Sequence, residues 1–436
     1  MNMSSTYKLI EDIRKDLKEI IRDPLWKNIH VPPVIKELLQ LESVQRLNRI
    51  KQLGPSYLVY PGATHNRLIH SLGVFYVASR MLENILLYPY AVNNILEINK
   101  YDAMAFLVAA FLHDIGHFPY THSLKDLIIE GKVIEEHEAL SAKLILSDSI
   151  ATTLEKYKIN PVLVAAIIDK NMSPDKIRRE ILVFFRSLLS GVLDPDKLDY
   201  LTRDAFFCGL PYGIQDLDFV LTCLRYTEED GLYYPAISNT GIGSIEHILF
   251  AKYLMYRSVY WHRKVRSATA MIKKAIMLAF AEENAELSPE NLYYKDDQGF
   301  ILLFEKKGIP QEAKELVWRV QHNRLYDIAL EIPFESDKHS ALESIVYRIN
   351  LEKELSDKTG IQNLIIDVPE AVNFEDSVRI ISDGDDKVKD FITAKTVFDK
   401  NTIKSFTGNL RYIRLLIPNK EENHKIKFEE IVSELK

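Results

Sequence analysis

The stretch Phe111–His122, FLHDIGHFPYTH, decides how the rest of the chain is interpreted. It continues an apolar segment, residues 101–115, whose side chains are apolar nearly all round, a pattern typical of a helix buried inside a core. His113 and Asp114 are therefore expected at the end of a buried helix. A buried carboxylate needs a compensating charge, and a divalent cation beside the histidine would supply one.

Histidines concentrate around this stretch. Half of the twelve histidines of the chain lie between residues 65 and 137, which is less than a fifth of its length. Histidine is a common metal ligand and an acid or base near neutral pH. Single histidines are often core residues bonded to carbonyl groups, but the cluster as a whole favours a metal or acid–base site. Its members are His65, His70, His113, His117, His122 and His137.

The second informative stretch is LDPDKLDYLTRD, residues 193–204. Asp194 followed by Pro195 predicts the start of a helix, with aspartate at the N-cap and proline at the first helical position. Helical spacing then places four polar residues along one face: Asp196, Tyr200, Arg203 and Asp204. They form either a solvated face with paired charges or a metal ligand followed by groups that bind a phosphorylated sugar.

A third stretch, HNRLIHSLGV (residues 65–74), adds a cation to the predicted site. Arg67 and His70 are three positions apart and would share a helix face. A cation beside a metal-binding histidine is useful where the substrate is an anion. Taken alone, Arg67 would be interpreted as a surface residue.

Composition narrows the functional classes. The chain of 436 residues carries a net charge of -7, which argues against strong general nucleic-acid affinity, because such binding needs a positive surface. Two cysteines exclude a disulfide framework or a cysteine zinc site. The N-terminus is charged and the longest apolar run is too short to cross a bilayer. The sequence therefore predicts a cytoplasmic protein without a membrane segment.

Periodicity predicts a mainly α fold, with a helical core and a smaller C-terminal α+β domain. A helix is expected from Thr64 to about Leu86, residues 57–60 are short and β-prone, and several strands are expected after a change of texture near residue 290. The expected strands are residues 300–304, 328–332, 364–368 and 412–417. We therefore predict a helical domain at 1–290 and an α+β domain at 291–436, the latter for oligomerisation or regulation.

Four blocks in order resemble the HD-domain deoxynucleotide triphosphohydrolases, in the branch of the animal SAM- and HD-domain proteins and their microbial relatives. The blocks are RLNRIKQLGPSYLVYPGATHNRLIHSLGV from Arg46, FLHDIGHFPYTH, EEHEA from Glu135, and LDPDKLDYLTRD. The match runs from about Asp23 to Met271, and no SAM domain is expected. The resemblance implies a helical HD fold and cleavage of a dNTP at the α-phosphate, giving a deoxynucleoside and tripolyphosphate.

The resemblance also implies roles for individual residues. The metal ligands would be His70, His113, Asp114 and Asp196, and the metal could be Mg, Mn, Fe, Ni or Zn. His117 and His122 would contact the α-phosphate, with His122 donating a proton to the leaving 5′ oxygen and His137 supporting it. The substrate-binding residues would be Arg67, Lys197 and Lys252 for the triphosphate, Gln52 and Asp204 for the 3′-OH, Tyr200 under the sugar, and Tyr260 and His262 near base and phosphates.

The sequence departs from the family in two places. Lys125 stands where an acidic partner of His137 is usual, so Asp126, Glu136 or Glu138 would have to replace it. Gln40 and Asn48 stand where the animal proteins have an aspartate and an arginine that bind a guanine effector, so that guanine site is expected to be absent. We therefore predict either activation by a dNTP or no activation by a nucleotide. A homo-oligomer is expected by resemblance. Two alternatives stay open: another HD-type phosphohydrolase, such as a nucleotidase or phosphodiesterase, and a catalytically weak nucleotide-binding regulator.

Overall fold

The computed structural model describes residues 3–88, 96–124, 127–129, 132–282, 286–372, 378–382, 388–394, 396–419 and 431. Helices dominate the first two thirds of the chain. They are α1 (Met3–Asp16), α2 (Pro33–Leu38), α3 (Glu42–Gln45), α4 (Arg67–Leu87), α5 (Lys100–Leu112), α6 (Thr121–Leu124), α7 (His137–Ile145), α8 (Asp148–Lys156), α9 (Pro161–Ile168), α10 (Arg179–Leu189), α11 (Pro195–Cys208), α12 (Leu217–Cys223), α13 (Ile242–Met255) and α14 (Arg263–Ala281).

Helices continue into the last third, where strands become more frequent. The remaining helices are α15 (Pro289–Leu292), α16 (Asp297–Leu303), α17 (Gln311–Gln321), α18 (Ser336–His339), α19 (Ile345–Thr359) and α20 (Lys400–Leu410). The strands are β1 (Glu19–Asp23), β2 (Lys27–Val31), β3 (Ile128–Ile129), β4 (Lys132–Val133), β5 (Leu224–Glu229), β6 (Leu232–Ser238), β7 (Asp327–Pro333), β8 (Ile365–Asp367), β9 (Arg379–Ile381), β10 (Val388–Asp390) and β11 (Tyr412–Ile417).

The core is built around α5, which packs against α4 and α9, while α4 also packs against α11. Every side chain from Ala103 to Leu112 is buried, as the all-round apolar pattern predicts. Asn66 caps α4 by accepting a hydrogen bond from the Ile69 amide. Asp194 caps α11 by accepting from the Lys197 amide, and Pro195 follows it as predicted. These helices bring the three informative stretches to one place.

The strands form small sheets beside this helical core. A four-stranded sheet has the order β10-β9-β6-β5, and a three-stranded sheet has the order β7-β11-β8. Strands β1 and β2 form an antiparallel hairpin before the core helices. The prediction of a mainly α fold with a smaller α+β part is therefore confirmed. Among the described residues, none of the helices combines the length and the apolar character needed to cross a bilayer.

One predicted strand is wrong. Residues 300–303 belong to α16 and Phe304 is its C-cap; the helix begins where the Asp296 carboxylate accepts a hydrogen bond from the Gly299 amide. Phe300, Leu303 and Phe304 are buried together, with a spacing of three and four that suits a helix. A short apolar run fits a strand or a helix equally well, and here the cap decides. The domain boundary near residue 290 stays a prediction.

Candidate functional site

The predicted metal ligands lie at the ends of three packed helices. His70 is in the first turns of α4, His113 follows the last residue of α5, and Asp196 is the second residue of α11. His70 Nε2 lies 3.1 Å from Asp196 Oδ1, and His113 Nε2 lies 3.7 Å from the same oxygen. Helix packing therefore brings residues from three distant parts of the chain within the reach of one ion.

The two histidines are oriented as metal ligands require. The Nδ1 atom of His70 lies 2.8 Å from Asp199 Oδ2, and that of His113 lies 2.9 Å from the carbonyl oxygen of Ala110. Both partners only accept hydrogen bonds, so each Nδ1 carries a proton and Nε2 is the nitrogen left to bind a metal. Both Nε2 atoms are buried and make no hydrogen bond. A divalent metal fits this set of nitrogen and carboxylate donors.

Asp114 completes the group. One carboxylate oxygen lies 3.2 Å from His113 Nε2, while the other is 3.8 Å from His70 Nε2 and accepts a hydrogen bond of 2.6 Å from Arg67 Nη1. Burial opposes the charge of this carboxylate, but His113, His117 and Arg67 outweigh it and hold its pKa well below the usual range. Asp114 is thus a carboxylate anion that lies between the predicted metal-binding histidines and the buried guanidinium of Arg67.

The electrostatics of the ligand set favour a cation. Burial disfavours a charged imidazole at His70, but the carboxylates of Asp196 and Asp199 outweigh it and raise the pKa of His70 to about 10. Burial likewise opposes the charge of Asp196, yet His113 and His70 hold the pKa of Asp196 well below its usual range. A metal ligand must be a neutral imidazole, so a divalent cation would replace the proton on His70.

Three further histidines form a second group beside Asp114. His117 Nε2 and His122 Nε2 are 3.0 Å apart, and the His117 and His137 rings have centroids 3.9 Å apart. Burial and the charge of Arg67 hold the pKa of His117 well below its usual range. Burial and His122 lower the pKa of His137 to about 3. His117 and His137 are therefore neutral at pH 7, and His122 is the exposed member of the group.

The acidic neighbour of His137 is Glu138, whose Oε2 lies 3.1 Å from His137 Nδ1. The sequence offered Glu138 as one of three replacements for the usual acidic residue. Lys125 and Asp126, on which that expectation also depended, lie outside the described residues.

The loop that carries His113 to His117 is tightly anchored to its surroundings. Ser141 Oγ accepts a hydrogen bond from the Gly116 amide and donates one to the carbonyl of His113, both at 2.9 Å. A Cβ atom on Gly116 would lie 2.3 Å from the carbonyl oxygen of His137, so only glycine fits there. Arg46 holds the same loop from the other side by donating to the carbonyls of Ile115 and His117.

One cavity of about 950 Å³ opens in front of both histidine groups, near the upper end of the usual ~300–1,000 Å³ range for ligand pockets. Its lining contains most of the predicted site residues. These are Gln52, Arg67, His113, Asp114, His122, His137, Asp196, Lys197, Tyr200, Asp204, Lys252 and Tyr260. His70 and His117 lie behind this lining: His70 Nε2 is 3.1 Å from Asp196 Oδ1, and His117 Nε2 is 3.0 Å from His122 Nε2.

The predicted phosphate ligands differ in their contacts. Arg67 is buried, and its Nε atom has no hydrogen-bond partner although Nη1 binds Asp114. Lys197 Nζ donates to Asp194 Oδ2 at 2.6 Å and to the Gly191 carbonyl at 2.9 Å. Lys252 is buried in the cavity wall. His262 caps α14 and is absent from the part of the lining that the structure describes.

The predicted sugar contacts meet at Asp204. Its Oδ1 lies 2.8 Å from His65 Nε2, and its Oδ2 accepts a hydrogen bond of 2.7 Å from the Tyr260 hydroxyl. Gln52 Oε1 is buried without a hydrogen-bond partner. The Tyr200 ring lies edge-on to the Tyr260 ring, with centroids 6.3 Å apart. This end of the cavity therefore combines aromatic surfaces with oriented polar groups.

Sequence reasoning did not assign a role to several residues that shape the site. Arg46, Asp199 and Asp23 carry buried charges, and Arg203 turns away from the cavity to bind Asp199 and Asp23. The spacing of Asp199 and Arg203, four positions apart on one helix, was the available signal for part of this set.

Two family models match the chain. One describes the HD domain and matches residues 67–183, and the other describes the HD-associated region and matches residues 220–392. The first of these ranges contains the two histidine groups, whereas Asp196 lies between the two ranges. The predicted domain boundary falls inside the second range.

Curated relatives support the same family. An uncharacterized protein of Methanocaldococcus jannaschii is 34% identical over 283 residues, which cover 65% of this chain and 54% of that protein. The human deoxynucleoside triphosphate triphosphohydrolase SAMHD1 is 27% identical over 299 residues, which cover 64% of this chain and 47% of that protein. The chain thus spans about half the length of the curated relatives that it matches.

Solved structures agree over nearly the whole chain. A phosphohydrolase from Bacteroides thetaiotaomicron is similar with a TM-score of 0.67 and 25% identity, covering 92% of this chain and all of that chain. A hypothetical protein from Aquifex aeolicus has a TM-score of 0.70 at 22% identity, covering 94% of this chain and all of that chain, and supports the fold alone.

Proposed function

Because the chain belongs to the HD-domain superfamily of metal-dependent phosphohydrolases, we propose that it hydrolyses deoxynucleoside triphosphates to a deoxynucleoside and tripolyphosphate. One observation carries the proposal. The same cavity is lined by the predicted metal ligands Asp114 and Asp196, by cationic side chains, and by aromatic and polar groups around Asp204, which lies about two helical turns from Asp196 along α11. A nucleoside triphosphate likewise joins an anionic triphosphate to an uncharged sugar and base.

The residues of the chain have separate tasks in this proposal. His70, His113, Asp114 and Asp196 would hold a divalent metal, which supplies charge neutralisation and helps to deprotonate water. Arg67 offers its Nε donor to an anion, since that atom lacks a partner and Nη1 already binds Asp114. Lys197 and Lys252 add positive charge at the cavity wall, which stabilises the charge that develops on the phosphoryl group.

Proton transfer is assigned to the second histidine group. Water attacks the α-phosphorus, the bond to the 5′ oxygen breaks, and that oxygen takes a proton while tripolyphosphate leaves. His122 is the donor in this proposal because it is exposed to the cavity and touches His117. His117 and His137 remain neutral at pH 7, so they are suited to hold His122 and the phosphate by hydrogen bonds.

The sugar would lie at the aromatic end. Gln52 and Asp204 would bind the 3′-OH, and Tyr200 would pack under the ring and exclude a 2′-OH. The Tyr260 hydroxyl orients the Asp204 carboxylate for this contact. His262 lies at the start of α14, next to the cavity-lining Trp261, and would reach only the outer part of a bound nucleotide.

The decisive experiment is product analysis. The purified chain is incubated with each dNTP and each rNTP in the presence of Mg²⁺ or Mn²⁺, and the products are separated by anion exchange. Tripolyphosphate and deoxynucleoside, formed from dNTPs alone, are expected. Orthophosphate or pyrophosphate would instead indicate another HD-type phosphohydrolase, and tight dNTP binding without turnover in any metal would indicate a nucleotide-binding regulator.

Regulation and assembly are also proposals. Asn48 is uncharged, so it cannot offer a guanine effector the charge of an arginine. Its side-chain oxygen instead accepts a hydrogen bond of 2.9 Å from the side chain of Asn66. We expect GTP to leave the rate of hydrolysis unchanged at a fixed dNTP concentration, and a GTP-dependent rise would contradict this.

We also propose that the protein forms a homo-oligomer. Analytical ultracentrifugation of the full chain would test this by measuring its molecular mass in solution.

A further inference from the structure

We propose that Asp199, Arg203 and Asp23 form a buried positioning chain that orients His70 for metal binding, so that the hairpin β1–β2 helps to determine metal affinity. The inference rests on the metal site of the proposed function but is independent of the substrate. It also reaches beyond the matched HD domain, because Asp23 lies 44 positions before the first matched residue, Arg67.

The first link joins Asp199 to His70. Asp199 Oδ2 lies 2.8 Å from His70 Nδ1, and both side chains are fully buried. The carboxylate accepts a hydrogen bond from Nδ1–H, so Nε2 is the nitrogen that points toward Asp196 and can bind a metal. Second carboxylates of this kind fix the orientation of metal-binding imidazoles in many proteins, and their loss typically weakens metal binding by about 10- to 100-fold.

The second link holds Asp199 in place. Arg203 Nε and Nη2 donate to the two Asp199 oxygens at 2.8 and 2.9 Å, and Arg203 Nη1 donates to Asp23 Oδ2 at 2.8 Å. The Trp26 indole N–H donates to Asp199 Oδ1. Asp23 Oδ1 accepts from the amides of Leu25 and Trp26, so the turn of the hairpin and the arginine share one carboxylate.

The charge of the network formed by Asp199, Arg203 and Asp23 is an argument for its role. Two carboxylates and one guanidinium leave one net negative charge at 0% to 2% exposure of the side chains. Buried charges are costly unless they are compensated. A cation bound at His70 Nε2 would add positive charge on the far side of the imidazole ring whose Nδ1 binds Asp199.

Gly73 is an independent sign that this arrangement is specific. A Cβ atom at Gly73 would lie 1.9 Å from Asp199 Oδ1 and 2.3 Å from Arg203 Nη2. The backbone of α4 therefore leaves room for the carboxylate–guanidinium pair one turn from His70. Alanine normally stabilises a helix interior relative to glycine, but at this position its Cβ must displace the pair.

The test measures metal affinity separately from catalysis. The full chain is stripped of metal, and Mn²⁺ binding is titrated by calorimetry for the parent chain and for Asp199→Asn, Asp23→Asn and Gly73→Ala. We expect the dissociation constant to rise about 10- to 100-fold for Asp199→Asn, since an amide can donate to Nδ1 and move the imidazole proton to Nε2. Gly73→Ala should approach this effect, and Asp23→Asn should show a smaller rise.

Gly243→Ala is the matched control, because Gly243 lies in α13 and a Cβ there meets nothing within 4 Å. It should leave Mn²⁺ affinity unchanged. Unchanged affinity in both Asp199→Asn and Gly73→Ala, or lower thermal stability with normal affinity, would overturn the inference. If Asp199→Asn fails to fold, Asp23→Asn and Gly73→Ala decide in the same way. A parent chain that binds no divalent metal would refute the metal site itself, whereas altered affinity without dNTP hydrolysis would refute only the proposed substrate.

Discussion

Arg46 donates a hydrogen bond of 2.5 Å to the backbone carbonyl of His117, across 71 positions of the sequence. The same guanidinium donates to the carbonyls of Ile115 and Lys295. Burial and the charge of Arg67 lower the pKa of Arg46 to about 10, so it is still charged at neutral pH. One buried cation thus ties the loop between the two histidine groups to the segment that precedes α16.

This contact predicts that Arg46→Ala lowers both stability and turnover. We expect a loss of about 3 kcal/mol in the free energy of unfolding, because three carbonyl acceptors lose a charged donor. Arg46→Lys keeps the charge but not the planar fork, and should recover only part of the loss. Urea unfolding monitored by circular dichroism measures the change. Full stability in Arg46→Ala would contradict the role of this residue as the anchor of the loop.

The metal assignment is tested at Asp196. Asp196→Asn should remove most of the bound metal and abolish hydrolysis with little change in the fold, because the amide lacks the charge that attracts the cation. Metal content is measured by mass spectrometry after gel filtration. Asp148→Asn is the control, since Asp148 is an exposed aspartate at the start of α8. Unchanged metal content in Asp196→Asn would reassign the ligand to a neighbouring aspartate.

The histidine roles give a graded prediction. His122→Ala should lower kcat by about 10²- to 10⁴-fold, the usual contribution of a general acid, while metal content stays constant. His137→Ala should reduce turnover without abolishing it, because His137 is neutral at pH 7 and acts through its neighbours. His322→Ala is the control, as His322 is the exposed C-cap residue of α17 and stacks on Trp318. Full activity in His137→Ala would remove that residue from the site.

Features that depend on neighbouring residues could be predicted from the sequence, whereas contacts between residues far apart in the sequence could not. Helix α5 and the cap of α11 were predictable because their signals are local: an apolar run, and Asp194 before Pro195. The predicted metal ligands come together because they occupy helix ends that pack on one another. Arg46 and Asp23 carried no such signal, since their partners lie 71 and 180 positions away. Residues 300–304 misled because a short apolar run has no unique period.

The hydrogen bond between Tyr260 and Asp204 offers the sharpest test of the sugar contact. Tyr260→Phe removes the donor to Asp204 Oδ2, at 2.7 Å, and leaves the ring in place. We expect kcat/KM for dNTPs to fall about tenfold, the value of one hydrogen bond to a charged group. The same variant should act on 2′,3′-dideoxynucleoside triphosphates at the parent rate, because they lack the 3′-OH that Asp204 would bind.

Comparing kcat/KM for dNTPs and for 2′,3′-dideoxynucleoside triphosphates, in the parent protein and in Tyr260→Phe, gives a thermodynamic cycle for the contact with the 3′-OH. Tyr253→Phe is the control, because the Tyr253 hydroxyl contacts Arg257 on the outer side of the helix and does not line the described part of the cavity. An equal loss for dNTPs and dideoxynucleotides in Tyr260→Phe would mean that the hydroxyl supports the cavity wall. A loss restricted to dNTPs would place the 3′-OH at Asp204, and with it the direction in which the nucleotide enters.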